Sequence, residues 1–315
     1  MSATSAGSRL LLRIATRKSP LALWQAEHVA ALLRGAHAGL EVELKPMTTQ
    51  GDRIQDRSLA AIGGKGLFIK ELEVALAERR SDIAVHSMKD VPAEMPQDFV
   101  IAALLARADP RDALICRRGK TLADLPAGAK LGTSSLRRQA QILAARPDIS
   151  IEPLRGNVDT RLARLENGAL DAIVLACAGL ARLGLESRIT TRLEPETMLP
   201  AVGQGAIGIE CRSKDAATRA LVGALDDAAT HTALAAERAF ARTLGGSCQS
   251  PIAALARIEE GRLTLRGLVA EPDGSRLLRD SVAGESASPE TLGEELARRL
   301  LESGARELLE RLRSA

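Results

Sequence analysis

The sequence predicts an α/β protein: two sheet-bearing domains joined by two chain crossings, then a smaller α+β domain. Three observations carry this. Short apolar runs alternate with helix-length segments from Leu10 to about Arg182, the pattern of mostly parallel sheets with crossover helices. A strand-like run, Ile209-Glu210-Cys211, follows a glycine-rich return at Met198–Gly208 and adds a strand to the first domain. From Thr230 the pattern becomes an alanine-rich helix, a meander with turns at Glu260-Gly261 and Asp273-Gly274, and two closing helices. A chain of 315 residues fits about two to three domains.

Leu10 to Ala15 reads as a buried strand. Ser19 and Pro20 then open a helix, a capping hydroxyl with proline at the first helical position. This helix runs from Leu21 to about Arg34, with Gly35 as its stop. Arg17 and Lys18 thus lie between a strand end and a helix start, a ready anion site. Val42 to Met47 is a second strand, and Thr48 to Gly66 a long loop. Its Gly63-Gly64-Lys65-Gly66 run lacks the phosphate-loop spacing, because Gly66 occupies the Ser/Thr place. A helix over Leu67–Arg80 leads into Asp82–Pro92, around which the chain is organised. There the strand Ile83–Val85 turns abruptly polar and delivers His86, Ser87, Lys89 and Asp90 to a pocket edge, because ligands bind beyond the carboxyl ends of strands in open sheets.

The same grammar recurs. Val100–Leu105 is a strand, Asp109-Pro110-Arg111-Asp112 a turn and domain crossing, and Ala113–Cys116 a strand. Lys130–Ser135 opens the helix Leu136–Ala145, capped by Ser134 or Ser135, with Arg137 and Arg138 in its first turn. Cations there oppose the helix dipole by about 0.3–1 kcal/mol each, a cost that an incoming anion reverses. Ile149–Leu154 ends at Arg155-Gly156-Asn157, and the helix Val158–Glu166 carries Arg161 in its first turn. Asp171–Ala176 is a strand, followed by a helix bearing Arg182. Arginines repeated at strand exits call for a ligand with several carboxylates or phosphates, which the planar fork grips with two hydrogen bonds.

Composition narrows the function. Net charge is +3 and aromatic residues make up 1%, which speaks against a dedicated nucleic-acid binder and its stacking platforms. No stretch approaches the roughly 20 apolar residues of a membrane span, and Met1–Ser8 has no secretory-type apolar run; the expectation is a cytoplasmic protein. Gly203-Gln204-Gly205-Ala206-Ile207-Gly208 spells G-x-G-x-x-G, but a strand follows it where a dinucleotide site needs a helix. The four cysteines form no C-x-x-C pair, so neither a zinc site nor a disulfide framework is expected. Cys116, Cys177 and Cys211 sit in or beside apolar runs and read as small buried hydrophobes. Cys248 differs: it lies in the loop Gly245–Pro251 among glycine and serine, open to a role as covalent attachment point or nucleophile.

These residues together resemble the porphobilinogen deaminase (hydroxymethylbilane synthase) family over nearly the whole chain. The resemblance rests on Arg13–Arg17 with Ser19–Gln25, Gly63–Gly66, His86–Asp90, Gly132–Arg138, Leu154–Val158, Pro200–Gly208 and Cys248 in its glycine loop. It implies two periplasmic-binding-protein-like α/β domains with a cleft between them, and a smaller C-terminal α+β domain. The expected bounds are 1–105 with 200–225, 106–199 and 226–315. It implies a transferase of tetrapyrrole biosynthesis that joins four porphobilinogen molecules head to tail, with loss of ammonia, to give hydroxymethylbilane. The expected form is a monomer with this small-molecule substrate and neither nucleic acid nor membrane as partner.

The resemblance also implies a dipyrromethane cofactor on Cys248 and Asp90 as the catalytic carboxylate. Lys89, Arg137, Arg138, Ser87, Thr133, Ser135, Arg155 and Arg161 match cofactor-binding positions, and Arg17, Ser19, Arg155 and Arg182 substrate-binding ones; no metal is expected. One acid among many bases suits this chemistry, since a carboxylate stabilises a cationic azafulvene while arginines neutralise side-chain carboxylates. The chain departs from the family pattern at Ala61, Asp159, Gly245 and Ser247. A two-lobed polyanion-binding protein would account for the cationic strand ends but not for Cys248. A nucleotide-dependent enzyme would rest on the two glycine runs alone.

Overall fold

The computed structural model describes residues 10–53, 66–246 and 250–314. In chain order, the first elements are β1 (Leu11–Arg17), α1 (Pro20–Ala36), β2 (Glu41–Met47), α2 (Gln50–Arg53), α3 (Lys70–Ala77) and β3 (Ile83–Ser87). A 3-10 turn (Met88–Asp90), β4 (Phe99–Leu104), β5 (Asp112–Cys116), β6 (Lys130–Gly132), α4 (Leu136–Ala145), β7 (Ser150–Glu152) and α5 (Val158–Glu166) follow. Next come β8 (Ala172–Ala176), α6 (Cys177–Arg182), β9 (Thr191–Leu193), β10 (Ile207–Arg212), α7 (Ala216–Gly223) and α8 (Ala228–Thr243). The chain closes with β11 (Ile252–Glu259), β12 (Arg262–Ala270), β13 (Leu277–Glu285), α9 (Pro289–Leu300) and α10 (Arg306–Ser314).

Strand alternation sorts side chains to the two faces of each sheet. In the first sheet, Leu12, Ile14, Ile83 and Val85 pack with Val29 and Leu33 of α1. Ala15 and Ala84 face Leu72 and Leu76 of α3. In the second, Leu114 and Val174 meet Ile142 of α4, while Ile115 and Ile173 meet Leu162 and Leu165 of α5. The third sheet, β11-β12-β13, is an antiparallel meander. One of its faces buries Phe240 of α8 and Leu296 of α9, a Phe side chain being worth about 1.5–3 kcal/mol when fully buried. Its other face lays Ala253, Leu255 and Leu268 against Ala140 of α4.

The two larger sheets share one plan. Their orders are β2-β1-β3-β10-β4 and β7-β6-β8-β5-β9. Both are mixed, not mostly parallel as the sequence suggests: β10 runs antiparallel to β3 and β4, and β5 to β8 and β9. The opposed strand is in each case the one entered straight from a crossing. No crossover helix turns the chain round first, so it arrives from the other end of the sheet. The crossings pair with each other, Leu105 N–H donating to the Ile207 carbonyl at 3.0 Å and Ala108 N–H to the Gly205 carbonyl at 3.2 Å. Gly205 has φ +91°, and a Cβ there would stand 2.5 Å from the Ala108 oxygen, so only glycine fits.

Other expectations shift at the ends of elements. The helix expected from Leu67 begins at Lys70, after a turn in which Ile69 N–H bonds the Gly66 carbonyl. It ends at Ala77, and Arg79 adopts φ 57° just beyond. α1 runs through Gly35, its expected stop, to Ala36. The expected loop after Thr48 contains α2. No helix among the described residues is long and apolar enough to cross a membrane.

Candidate active site

The first sheet ends its strands toward the second. β1 terminates at Arg17, and α1 starts where Ser19 accepts a hydrogen bond from Ala22 N–H at 3.4 Å, with Pro20 opening the first turn. β3 continues through Ser87, whose hydroxyl accepts from Gln25 Nε2 at 2.8 Å. The 3-10 turn then swings Lys89 and Asp90 out of the sheet, while Met88 is buried beneath them. The Asp90 carboxylate, 33% exposed, lies 3.9 Å from Arg17 Nη1 and accepts no hydrogen bond among the described residues.

From the opposite lobe come the other cations. Ser135 caps α4 by accepting from Arg138 N–H at 3.4 Å, and the Thr133 hydroxyl accepts from Ser135 N–H at 3.2 Å. Asn157 caps α5 through Thr160 N–H at 2.8 Å, and Arg161 in its first turn donates Nε–H to the Gly156 carbonyl at 2.9 Å. Half-buried Arg155 precedes the turn at Gly156, φ +102°. Arg182 ends α6 and donates to the Gly205 carbonyl, in the crossing, at 2.7 Å.

Burial and mutual repulsion mark these cations out. Burial pushes Lys89 down to about 8, with Arg138 and Arg161 adding to the effect and Asp90 opposing it. Arg161 is pushed down to about 10 by burial and by Arg138, Arg155 and Arg17, again against Asp90. Arg182 falls to about 10 through burial alone. Groups from both lobes therefore share one field, in which desolvated positive charge outweighs the acid present. A dipyrromethane carries acetate and propionate carboxylates, and such a set of donors fits it: a polyanion offsets the burial of these cations and the repulsion that adds to it at Lys89 and Arg161.

One sequence expectation changes here. His86 does not reach the pocket edge. Strand alternation turns it away from Ser87 into the sheet, where it is 5% exposed and its Nε2 lies 2.7 Å from Glu210 Oε2. Arg137 and Arg138 also meet an acid that the sequence did not reveal, because buried Asp112 faces both. Arg137 Nη1 donates to Asp112 Oδ2 at 2.7 Å, and Arg138 Nη2 to Oδ1 at 2.7 Å. Burial pushes the Asp112 carboxyl up, but the two guanidiniums outweigh it and hold it well below the usual carboxylate range.

Asp112, Asp52, Gln25 and Gln204 escaped sequence reasoning. Gln204 Nε2 donates to Asp112 Oδ1 at 3.1 Å and to the Pro110 carbonyl at 2.7 Å. The one available signal was an acid at the mouth of an apolar strand, Asp112 before Ala113–Cys116, since a buried charge demands a partner.

Cys248 lies outside the described residues, as do Ala61, Gly63, Gly64, Lys65 and Ser247. The three described cysteines are poor nucleophiles, because burial pushes Cys116 to about 11, Cys177 to about 12 and Cys211 to about 11. Among the described residues no group of three or more His, Cys, Asp or Glu could hold a metal ion.

Comparison with known proteins bears on the whole chain. Residues 12–220 match the family description "Porphobilinogen deaminase, dipyromethane cofactor binding domain", and residues 231–302 match "Porphobilinogen deaminase, C-terminal domain". A porphobilinogen deaminase of Xanthomonas campestris pv. campestris (strain B100) is 56% identical over 301 residues, 96% of this chain and 99% of its own. One from Stenotrophomonas maltophilia (strain R551-3) is 55% identical over 298 residues, 95% of this chain and 98% of its own. Among solved structures, the periplasmic aliphatic sulphonate binding protein SsuA from Escherichia coli has a TM-score of 0.42 at 15% identity, covering 74% of this chain and 70% of its own. A putative methionine-binding lipoprotein from Bacillus subtilis has a TM-score of 0.43 at 14% identity, covering 70% of this chain and 92% of its own. With both family descriptions matched in order and more than half of all positions identical to full-length relatives, this chain belongs to the porphobilinogen deaminase family.

Proposed function

We propose that the chain polymerises four porphobilinogen molecules head to tail, releasing ammonia, to give hydroxymethylbilane, with Asp90 as its catalytic carboxylate. The observation that carries this reading is Asp90 itself: a half-buried carboxylate, not hydrogen-bonded by any described residue, set among Arg17, Lys89 and Arg161. Each addition breaks the aminomethyl C–N bond of a substrate. Ammonia leaves, and the pyrrole nitrogen lone pair compensates the electron-poor carbon. The free α-carbon of the chain's terminal pyrrole forms the new C–C bond and then loses its proton to solvent, and after the fourth addition a water molecule releases the tetrapyrrole and supplies its hydroxymethyl oxygen. Positive charge develops on the ring nitrogen, and a carboxylate beside it stabilises that charge in a site where surrounding arginines cannot. The arginines serve the ground state, binding acetate and propionate by forked hydrogen bonds.

In this reading Lys89, Arg137, Arg138, Ser87, Thr133, Ser135, Arg155 and Arg161 hold the dipyrromethane, and Arg17, Ser19, Arg155 and Arg182 bind substrate. Cys248 anchors the cofactor; the raised pKa values of the other three thiols support that choice. The domains run 1–105 with 200–225, 106–199 and 226–315, and the working form is a cytoplasmic monomer.

Intact mass under denaturing conditions tests the covalent part. Active protein is expected to carry the added mass of two linked pyrrole units, absent from Cys248→Ser. Polypeptide mass alone in active protein would exclude the covalent primer. Failure of porphobilinogen to load inactive protein would favour a two-lobed polyanion-binding protein. Near-normal turnover by Asp90→Asn would remove Asp90 from its role.

A further inference from the structure

Arg17 has two acids within reach, and it is bound to only one. Its Nε donates to both Asp52 carboxylate oxygens at 3.2 Å, and its Nη2 donates to Asp52 Oδ1. Its Nη1 stands 3.9 Å from Asp90 Oδ2, beyond hydrogen-bond range. The guanidinium carbon lies 4.3 Å from the centroid of the Phe68 ring, a cation–π seat that fixes the plane of the fork. Asp52 is held in turn by Thr49, whose hydroxyl donates at 2.7 Å and whose N–H donates at 3.3 Å. The ring has room because residue 51 is glycine: a Cβ there would stand 2.3 Å from Phe68 Cε1.

We infer that Asp52 is a positioning residue for the reaction: by engaging Arg17, it holds that cation at a 3.9 Å ion-pair distance from Asp90, short of a hydrogen bond, and leaves the catalytic carboxylate's oxygens free to face positive charge on the substrate. The inference rests on the assignment of Asp90 made above. A guanidinium hydrogen-bonded to Asp90 would occupy its oxygens in the ground state and would have to be displaced each time charge developed on the pyrrole ring. Arg17 cannot simply be absent, because its charge serves the substrate carboxylates. A second acid that takes up the fork reconciles the two demands. Asp52 is suited to this, since burial raises its carboxyl and the hydrogen bonds and charge of Arg17, with Thr49, more than reverse that. Among the described residues, the other charges facing Asp90 are Lys89 from its own turn and Arg161 from α5. Neither is part of the Arg17–Asp52 contact, so both stay in place when it is broken.

The test is a pH–rate series on cofactor-loaded enzyme with Asp52→Asn, Asp52→Glu, Arg17→Leu, the Asp52→Asn/Arg17→Leu double variant, and Asp90→Asn as reference. Asp52→Asn lets Arg17 swing onto Asp90. The expected result is a fall in kcat of at least about tenfold, with a smaller rise in KM as the Arg17 fork is drawn from the substrate carboxylates onto Asp90. The acid limb of kcat should also move at least about one pH unit lower, because a cation in contact favours the ionised carboxylate. Asp52→Glu restores most of the rate, and the double variant is no slower than Arg17→Leu alone. Gly51→Ala, which displaces the Phe68 ring without changing any charge, moves kcat the same way by a smaller factor and serves if Asp52→Asn does not fold. An unmoved acid limb, or a further loss of rate when Asp52→Asn is added to Arg17→Leu, overturns the inference. Sustained turnover in Asp90→Asn instead overturns the assignment on which it rests.

Discussion

Asp112→Asn isolates one buried charge and predicts a large effect. The carboxylate is fully buried and receives five contacts. Arg137 donates at 2.7 and 3.4 Å, Arg138 at 2.7 and 3.0 Å, and Gln204 at 3.1 Å. Asparagine keeps the shape and one acceptor oxygen but deletes the charge shared by two buried guanidiniums. Breaking a buried pair from one side costs about 3–5 kcal/mol. The Leu199 and Val174 carbonyls still accept from Arg137 and Arg138, which favours the lower half of that range. Guanidinium titration of cofactor-free protein, followed by circular dichroism, measures it. The sign with pH follows from the depressed folded pKa of Asp112. Its contribution is full above the unfolded value of about 3.9 and is lost as pH falls from there toward the folded value. The difference between parent and variant should therefore be flat from neutral pH down to about 5 and shrink below about 4. Loading with dipyrromethane should narrow it too, since a ligand anion partly replaces the missing charge. A loss under about 1 kcal/mol at neutral pH would mean that Asp112 is dispensable to the two arginines.

Three further outcomes are expected. Burial pushes Lys89 down to about 8 in the cofactor-free protein, so loading of that protein with dipyrromethane should weaken above that pH, and Lys89→Arg, which stays charged, should lose the effect. Alkylation of cofactor-free protein at neutral pH, mapped by peptide mass, should leave half-buried Cys116 and buried Cys177 and Cys211 largely unmodified, because all three thiols are raised; rapid labelling of Cys177 or Cys211 would contradict their burial. Gly274→Ala should destabilise the third unit's contact with α4 by about 1–3 kcal/mol, because its Cβ would lie 2.5 Å from Ala144 N and 2.8 Å from the Ala140 oxygen. A shift in thermal midpoint reads it.

What was legible in the sequence was local. Ser19-Pro20 and Ser135 mark helix starts within a few residues, and α1 and α4 begin where those signals stand. The meander turns were legible for the same reason, with Glu260 at φ 50° and Gly261 at φ 76°. Asp112 and Asp52 were not, because their partners lie 25 and 35 residues away, and in sequence each resembles an ordinary turn acid. His86 misled because β3 extends two residues further than its apolar run, and one more step of alternation sends a side chain to the other face. Strand direction was illegible for a topological reason: nothing within Ile207–Arg212 records from which end of the sheet the chain enters.

That late entry of β10 has a consequence for biosynthesis. β4 touches the rest of its sheet only through β10, which is wedged between it and β3. An emerging chain therefore exposes an unpaired β4 and the open edge of β3 while about a hundred more residues are made, roughly 5–20 s at bacterial translation speeds. The second lobe, lying wholly within that interval, can close before the first one does. Nascent chains stalled just short of residue 207 should accordingly hold a protease-resistant second lobe and a first lobe open to cleavage, and they mark the window in which a chaperone has most to shield.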